Sequence, residues 1–322
     1  MSEKVGNFKE VFEEVIRNFI ETKDKNGNNL SMDSIIVTSS EGETLEHYFN
    51  GNKTINDLRS ASKPIIGLAL GTALEKGLYF DGQKITLDTL VWPFFEDLVN
   101  LTNSDNIPKL KKVKLKHFLT HTIGHDVGLM FSKDIKDIPP EKYLDLIWNT
   151  DMTYDPGKFF VYANAGPFLI SVLIQEGLGI NLSQWVKDII FEPLDIRDFQ
   201  WKNYGKYCAA STGLRLSHED FHKFALVFQN DGRYNDEQIV PKVWIDEMRT
   251  TKVLTPTMYD IKRVFPKYSY GYYLWVCKDG TYYVDGTDGQ YMIVLHNKRI
   301  AITTFGHQQD MKPITMCMRP LL

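Results

Sequence analysis

The chain carries near its carboxyl end the sequence Gln290-Tyr291-Met292-Ile293-Val294-Leu295, followed after Asn297-Lys298 by Ile300-Ala301-Ile302-Thr303-Thr304-Phe305. Both runs are rich in β-branched, aromatic and other apolar residues, which favours strands, and Asn297-Lys298 marks a turn between them. Two more β-rich runs precede them, at 272–276 and 281–284, separated by Asp279-Gly280. The carboxyl end therefore predicts an antiparallel meander.

The amino-terminal quarter adds a helix and a hairpin. Apolar residues recur at helical spacing over 8–22, and the runs 34–39 and 44–49 predict two strands joined by Glu41-Gly42. Another helix is expected over 60–76, and helical periods dominate from there to residue 265. Because β segments at both chain ends bracket a helical stretch, we predict an α/β (α+β) fold. Its antiparallel sheet, flanked by helices, would form a discontinuous domain from 1–75 and 266–322, with a mostly helical domain inserted over 76–265.

Composition excludes several classes of protein. The 322 residues include 37 Lys and Arg against 41 Asp and Glu, a net charge of -4, so no general basic field exists to attract nucleic acid. With 43% hydrophobic residues, the chain can form a globular core. The three cysteines, Cys208, Cys277 and Cys317, are widely spaced and indicate a reducing compartment.

The sequence predicts neither a secretory leader nor a membrane span. The first residues lack the apolar core of a signal peptide. The longest apolar stretch, 159–174, is shorter than the ~20 residues that span a bilayer, and it contains Asn164 and Pro167. We therefore expect a cytoplasmic protein.

Ser60-Ala61-Ser62-Lys63 is the first candidate for catalysis. Positions three apart share a helix face, so the Lys63 amine can reach the Ser60 hydroxyl. A serine hydroxyl becomes a nucleophile when a neighbour accepts its proton, and a lysine does so when desolvation or nearby positive charge keeps its amine neutral. By itself the motif also fits an N-cap serine beside a surface lysine.

Two later segments could supply the other polar groups of such a site. Tyr162-Ala163-Asn164 lies in a predicted loop, where a phenol and a carboxamide can serve as proton shuttle and substrate ligand. The structural alternative is a loop tyrosine with a helix-capping asparagine. The segment 284–290, Val-Asp-Gly-Thr-Asp-Gly-Gln, ends a predicted strand with glycines, which let the backbone approach a ligand closely but also form ordinary bends.

In this order, and across a helical insert, the three motifs resemble those of the serine β-lactamase and penicillin-binding-protein superfamily, on the side of the class C-like esterases and linear-amide hydrolases. Three further segments in register resemble that family: its helix-to-loop segment at 115–122, its helix terminator Phe191-Glu192-Pro193-Leu194, and its next helix from Ser217, followed by Asn230-Asp231-Gly232. The resemblance covers nearly the whole chain.

The resemblance implies a serine hydrolase that acts through an acyl-enzyme on a small ester or amide, without cofactor or metal and with the oligomeric state left open. It implies Ser60 as the nucleophile, Lys63 as its base, and Tyr162 as the proton shuttle to the leaving group and the deacylating water. The implied substrate-binding residues are Asn164, Asp285, Gly286, Thr287 and Gln290. The oxyanion hole would consist of the backbone N–H groups of Ser60 and Thr287.

One departure from the family pattern bears on specificity. Many relatives carry Lys-Thr-Gly or His-Thr-Gly at the third motif, which supplies a cation and a hydroxyl for a substrate carboxylate, whereas this chain has Val284-Asp285-Gly286. We therefore expect penicillin-like anions to bind poorly and a neutral or cationic ester or amide to be preferred. The nearby Lys278-Asp279-Gly280 is interpreted as a hairpin turn.

Two other interpretations stay open. The segment His218-Glu219-Asp220-Phe221-His222 matches the His-Glu-x-x-His pattern of zinc metalloproteases, with Glu237 or Glu247 as a third ligand. His121 and His125 repeat the spacing. Alternatively, the protein is a non-catalytic, penicillin-binding-like binding protein, since folds are reused after catalysis is lost. An α/β-hydrolase is excluded because no Gly-x-Ser-x-Gly elbow occurs.

Overall fold

An eight-stranded antiparallel sheet draws its strands from both ends of the chain. A computed structural model describes residues 8–257 and 263–322. In chain order the strands of this sheet are β1 (Met32–Thr38), β2 (Thr44–Tyr48), β3 (Val253–Leu254), β4 (Ser269–Tyr270), β5 (Trp275–Val276), β6 (Tyr282–Gly286), β7 (Gln290–Leu295) and β8 (Ile300–Gly306). Their order across the sheet is β3-β4-β5-β6-β7-β8-β1-β2. The amino-terminal hairpin thus completes the sheet beside its last strand, with Ile36 opposite Thr303.

Most of the described helices lie between β2 and β3 in sequence. The α-helices are α1 (Phe8–Glu21), α2 (Lys63–Lys76), α3 (Ile107–Leu110), α4 (Leu115–Leu119), α5 (Ser132–Ile135), α6 (Tyr143–Asn149), α7 (Ala165–Leu178), α8 (Leu182–Val186), α9 (His218–Gln229), α10 (Lys242–Arg249) and α11 (Lys312–Cys317). Short strands lie among them: Leu214–Ser217 between Ile55–Asp57 and Gln200–Trp201, Tyr79–Phe80 with Gln83–Lys84, Asn203–Tyr204 with Tyr207–Cys208, and Arg233–Tyr234 with Glu237–Gln238.

The sheet confirms the predicted fold class, and one departure from the predicted strands has a local cause. The run 272–276 predicts a strand, but only Trp275–Val276 pairs within the sheet. Tyr273 has a left-handed backbone with φ of 61°, and its N–H donates to Leu119 O in the helical region. The division of the chain at residues 75 and 266 stays a prediction, and the first strand of the late sheet begins at Val253.

Helix α9 packs on one face of the sheet through buried imidazole and hydroxyl groups. Thr303 Oγ1 on β8 lies 2.9 Å from His218 Nε2 and 2.7 Å from His222 Nδ1. The other two ring nitrogens lie 2.5 Å from Ser34 Oγ and 2.8 Å from Thr38 Oγ1 on β1. Burial lowers the pKa of His222 to about 3 and that of His218 well below its ordinary value, so both rings are neutral at pH 7.

Helix α2 lies in the centre of the core. Its residues from 63 to 72 are all buried, as expected for an apolar helix enclosed by other elements. Gly71 allows the closest of its contacts, because a Cβ there would lie 1.9 Å from the indole nitrogen of Trp244 on α10. The same indole N–H donates to Gly67 O at 2.8 Å. Helix α10 therefore fixes α2, and with it the position of Lys63 at the start of α2.

No single helix among the described residues is both long and apolar enough to cross a membrane. One pair of consecutive helical segments, Ala165–Leu178 and Leu182–Phe191, passes by length and composition only when taken together, and it is bent by 88°. The first ten residues of Ala165–Leu178 are buried inside the protein.

Replacing Gly71 with Ala should destabilise the protein, because the added methyl group overlaps the Trp244 ring. We expect the free energy of unfolding to fall by about 1–3 kcal/mol, the usual cost of overpacking a core, in a urea titration. Trp244→Ala removes the overlapping ring, so the double variant should lose less stability than the two single variants together. Strictly additive losses would contradict this contact.

Acid should destabilise the protein partly through His222. Its pKa is about 3 in the folded state against 6.5 when unperturbed, so between these values unfolding takes up a proton. Stability therefore falls as the pH falls through this window, by ~1.4 kcal/mol per pH unit for this one group. His222→Gln should make the measured free energy of unfolding less dependent on pH by that amount. A slope equal to that of the wild type would mean that the ring is not held neutral.

Candidate active site

Ser60 and Lys63 meet at the entrance to α2. The turn Arg59–Ser62 is a 3₁₀ helix that leads into α2 at Lys63, so the α-helix begins three residues later than the sequence predicts. Lys63 Nζ lies 2.8 Å from Ser60 Oγ, within hydrogen-bond distance. Ser60 is half-buried, whereas Lys63 is 0% exposed. A small molecule can thus reach the hydroxyl, while the amine is shielded from water.

Complete burial changes the charge of the Lys63 amine. Removal from water favours the neutral form and lowers the pKa of Lys63 to about 7, an effect that the negative charge of Asp285 partly opposes. The amine also donates to Asn164 Oδ1 at 2.9 Å. At neutral pH a large fraction of the molecules therefore carries an uncharged Lys63, whose lone pair can accept the Ser60 proton.

Tyr162 covers this pair from the loop before α7. Its ring centroid lies 4.9 Å from Lys63 Nζ, and the ring stacks on Trp275 of β5 with centroids 5.6 Å apart. Burial and the charge of Asp285 raise the pKa of the Tyr162 phenol, and a hydrogen bond with Ser60 opposes the rise. The phenol therefore keeps its proton at neutral pH while it contacts Ser60.

A cluster of buried aromatic rings packs against Tyr162. The rings of His121 and Tyr162 have centroids 4.7 Å apart, and His121 Nε2 lies 3.2 Å from the Tyr270 hydroxyl. Burial, reinforced by the positive charge of Lys63, lowers the pKa of His121 well below its ordinary value. A neutral His121 packs against the site without adding a second charge to it.

Asn164 occupies the N-cap position of α7 but uses its side chain elsewhere. No side-chain hydrogen bond caps the helix. Instead Oδ1 accepts from Lys63, and Nδ2 donates to Met130 O at 3.2 Å. The carboxamide therefore fixes the Lys63 amine, and its expected contact with substrate stays a prediction.

The third motif packs directly against the turn that carries Ser60. A Cβ on Gly286 would lie 2.3 Å from Leu58 O, so a side chain at this position would keep β6 from approaching the turn. The next residue is Thr287, and the assignment of its backbone N–H group to an oxyanion hole stays a prediction. The missing side chain of Gly286 is thus the reason that this segment can lie beside Ser60.

Arg59, in the turn that carries Ser60, forms an ion pair with the segment that follows β6. Its guanidinium pairs with Asp57 at 3.2 Å and with Asp288, in the turn after β6, at 3.4 Å. Arg59 also has a left-handed backbone with φ of 52°, a strained conformation for a residue with a side chain. These contacts hold the residue before the nucleophile in place despite that strain.

Asp285 brings to the site a cation that the third motif itself lacks. Its carboxylate accepts from Lys267 Nζ at 2.8 Å and from Trp275 Nε1 at 2.7 Å. The Lys267 ammonium also lies 4.1 Å from the centroid of the Trp275 ring. The third motif thus presents an ion pair rather than a lone carboxylate, and a cation from outside the motif lies beside it.

The structure does not support the expected role of Gln290 in substrate binding. The residue is 2% exposed. Its Nε2 donates to Gly306 O at 2.7 Å, and its Oε1 accepts from Gly306 N–H at 3.4 Å. The amide joins β7 to β8, so both of its polar atoms are used inside the sheet.

The His-Glu-x-x-His segment supports the sheet rather than a metal. All four ring nitrogens of His218 and His222 lie beside hydroxyl groups of β1 or β8. Glu219 instead pairs with Lys53 and accepts from the Tyr48 hydroxyl at 2.9 Å. Residues 8–257 and 263–322 contain no group of three or more His, Cys, Asp or Glu side chains that could hold a metal ion. The geometry contradicts the zinc metalloprotease interpretation.

Three residues that shape the site are not predicted by the sequence. Lys267 and Trp275 belong to no motif, and nothing in their spacing connects them with Asp285. Arg59 directly precedes Ser-x-x-Lys, but only its positive φ, a feature of the folded backbone, marks it as special. The aromatic content of 272–276 was the one available signal, and it was consistent with any buried strand.

Comparisons with known proteins identify a family that matches most of the chain. The family model described as Beta-lactamase matches residues 22–313. Penicillin-binding protein 4* from Bacillus subtilis (strain 168) is 21% identical over 180 residues, which are 51% of this chain and 36% of that protein. The chain therefore matches only about a third of the length of this curated relative.

Solved structures share the fold over nearly the whole chain. EstCE1, described as a hydrolase with promiscuous acyltransferase activity, has a TM-score of 0.73 at 15% identity, covering 96% of this chain and 98% of that one. A penicillin binding protein from Bacillus halodurans has a TM-score of 0.69 at 17% identity, covering 100% of both chains. Because the family model spans both parts of the sheet and the Ser60 turn, this chain belongs to the Beta-lactamase family.

Proposed function

We propose that this protein is a serine hydrolase that acts through an acyl-enzyme on a small ester or amide. The observation that carries the proposal is the 2.8 Å contact between Ser60 Oγ and the amine of Lys63, which is 0% exposed and has a pKa of about 7. Membership of a hydrolase family supports the reaction class. The distances and pKa shifts around Ser60 support the roles proposed below for the individual residues.

In the acylation step, neutral Lys63 accepts the Ser60 proton while Oγ attacks the substrate carbonyl carbon. The carbonyl oxygen becomes an oxyanion, which the backbone N–H groups of Ser60 and Thr287 would stabilise. Lys63 is then positively charged inside the protein. The negative charge of Asp285, which raises the pKa of Lys63, stabilises this state.

Tyr162 is the proposed path for the proton out of the site. Its phenol stays protonated and contacts Ser60, so it can donate its proton to the leaving group and be reprotonated from Lys63. In deacylation a water molecule takes the place of the leaving group, and the same groups act in the reverse order. An alcohol can replace that water, and EstCE1, which shares the fold, is described as having acyltransferase activity.

A fluorophosphonate should label Ser60. Intact-mass spectrometry of the wild type should show a single adduct, because the contact with neutral Lys63 activates this hydroxyl, and Ser60→Ala should show none. Ser40→Ala, which removes an exposed serine after β1, is the control and should be labelled like the wild type. Full labelling of Ser60→Ala would refute the assignment of Ser60 as the nucleophile. An unlabelled wild type would favour the non-catalytic binding protein.

The activity should rise with pH around the pKa of Lys63. For p-nitrophenyl acetate, kcat/KM should increase about tenfold per pH unit below pH ~7 and level off above it, as the base becomes neutral. Asp285→Asn removes a charge that raises this pKa, so the midpoint should move to lower pH. Asp88→Asn, which removes a surface carboxylate paired with Lys114 and Lys116, should leave it unchanged. An unshifted midpoint in Asp285→Asn would contradict the coupling.

A further inference from the structure

A cavity of about 610 Å³ adjoins the proposed site on the face of the sheet opposite α9. Aromatic and methionine side chains, among them Phe265, Tyr283, Tyr291 and Met311, form much of its wall. Such a wall suits an apolar chain, since burying apolar surface is favourable by about 25 cal/mol per Å². The cavity is therefore large and apolar enough for part of a small organic substrate.

Basic side chains dominate the charge of this cavity. Arg263, Lys267, Lys312 and Arg319 line it, and Asp285 is the one acidic residue among its described lining residues. Asp285 is paired with Lys267. Lys312 and Arg319 are exposed, and their side chains form no ion pair with other described residues. In a chain with a net charge of -4, this concentration of positive charge favours an anionic ligand.

Asp285 connects the cavity with the nucleophile. Its carboxylate lines the cavity, and its charge raises the pKa values of Lys63 and Tyr162. Trp275, which donates to Asp285, stacks on Tyr162. Asp285 therefore belongs both to the wall of the cavity and to the immediate surroundings of Lys63 and Tyr162.

We propose that this cavity binds a carboxylate at the far end of the substrate, so that the preferred ester or amide carries an anionic group remote from the scissile bond. The inference rests on the proposed hydrolase function. An anionic group at the end of an apolar chain would meet Lys312 and Arg319, whereas one next to the reacting carbonyl would meet the Asp285–Lys267 ion pair, whose cation is already neutralised. Lys and Arg pair well with carboxylates, Arg in a bidentate manner.

Two ester series test the proposal with the full chain. In the first, mono-p-nitrophenyl esters of linear dicarboxylic acids are compared with neutral p-nitrophenyl esters of equal chain length. In the second, acetates of ω-hydroxy acids are compared with acetates of simple alcohols. In at least one series the carboxylated ester should have the higher kcat/KM, and the preference should shrink as salt is added, because salt screens exposed charges.

Variants of Lys312 and Arg319 test whether these two side chains cause the preference for a carboxylated ester. Lys312→Ala and Arg319→Ala should each lower kcat/KM for the preferred carboxylated ester about two- to fivefold, and about tenfold together, as expected for partly exposed charge pairs. Their activity on the neutral ester should not change. Lys111→Ala, at an exposed position outside the cavity, should behave like the wild type on both. Equal rates for charged and neutral esters in both series, or a preference that survives the double variant, would overturn the proposal. If no ester is hydrolysed in a Ser60-dependent way, the hydrolase function itself fails.

Discussion

The proposed chemistry depends on one buried amine with uncharged partners. Lys63 is 0% exposed, and its hydrogen bonds go to a hydroxyl and a carboxamide rather than to a carboxylate. In water the amine would be positive at neutral pH, and a carboxylate partner would keep it so. Loss of solvent without such a partner lowers its pKa to about 7, which makes the same side chain able to take up a proton and to give it back.

Three distant parts of the chain cooperate to hold that amine. Helix α2 presents it, the loop before α7 supplies Asn164 and covers the pair with Tyr162, and β6 brings the third motif against the turn. Glycines allow two of the close contacts between these parts of the chain. Gly71 lets α2 contact α10, and Gly286 lets β6 reach Leu58. The site therefore lies between the helical region and the sheet.

The negative charge of Asp285 lies between two lysines, Lys63 and Lys267. Asp285 stabilises the protonated state of Lys63 on one side and pairs with Lys267 on the other. This arrangement balances the carboxylate without leaving a second free cation beside the base. The histidines add no further charge. Burial keeps His121, beside Tyr162, and the His218–His222 pair, against the sheet, neutral.

The sequence by itself determined the antiparallel sheet from both chain ends and the helical stretch between them, because hydrophobic period and turn residues are properties of neighbouring positions. The Ser-x-x-Lys spacing and the family resemblance also marked Ser60, Lys63 and Tyr162 as candidates for catalysis. Only the tertiary structure decided that Lys63 is fully buried, that Lys267 meets Asp285, and that Gln290 and His222 bond inside the sheet rather than to a ligand. Solvent exclusion and contacts between residues far apart in sequence arise when strands and helices pack together, and no local pattern encodes them.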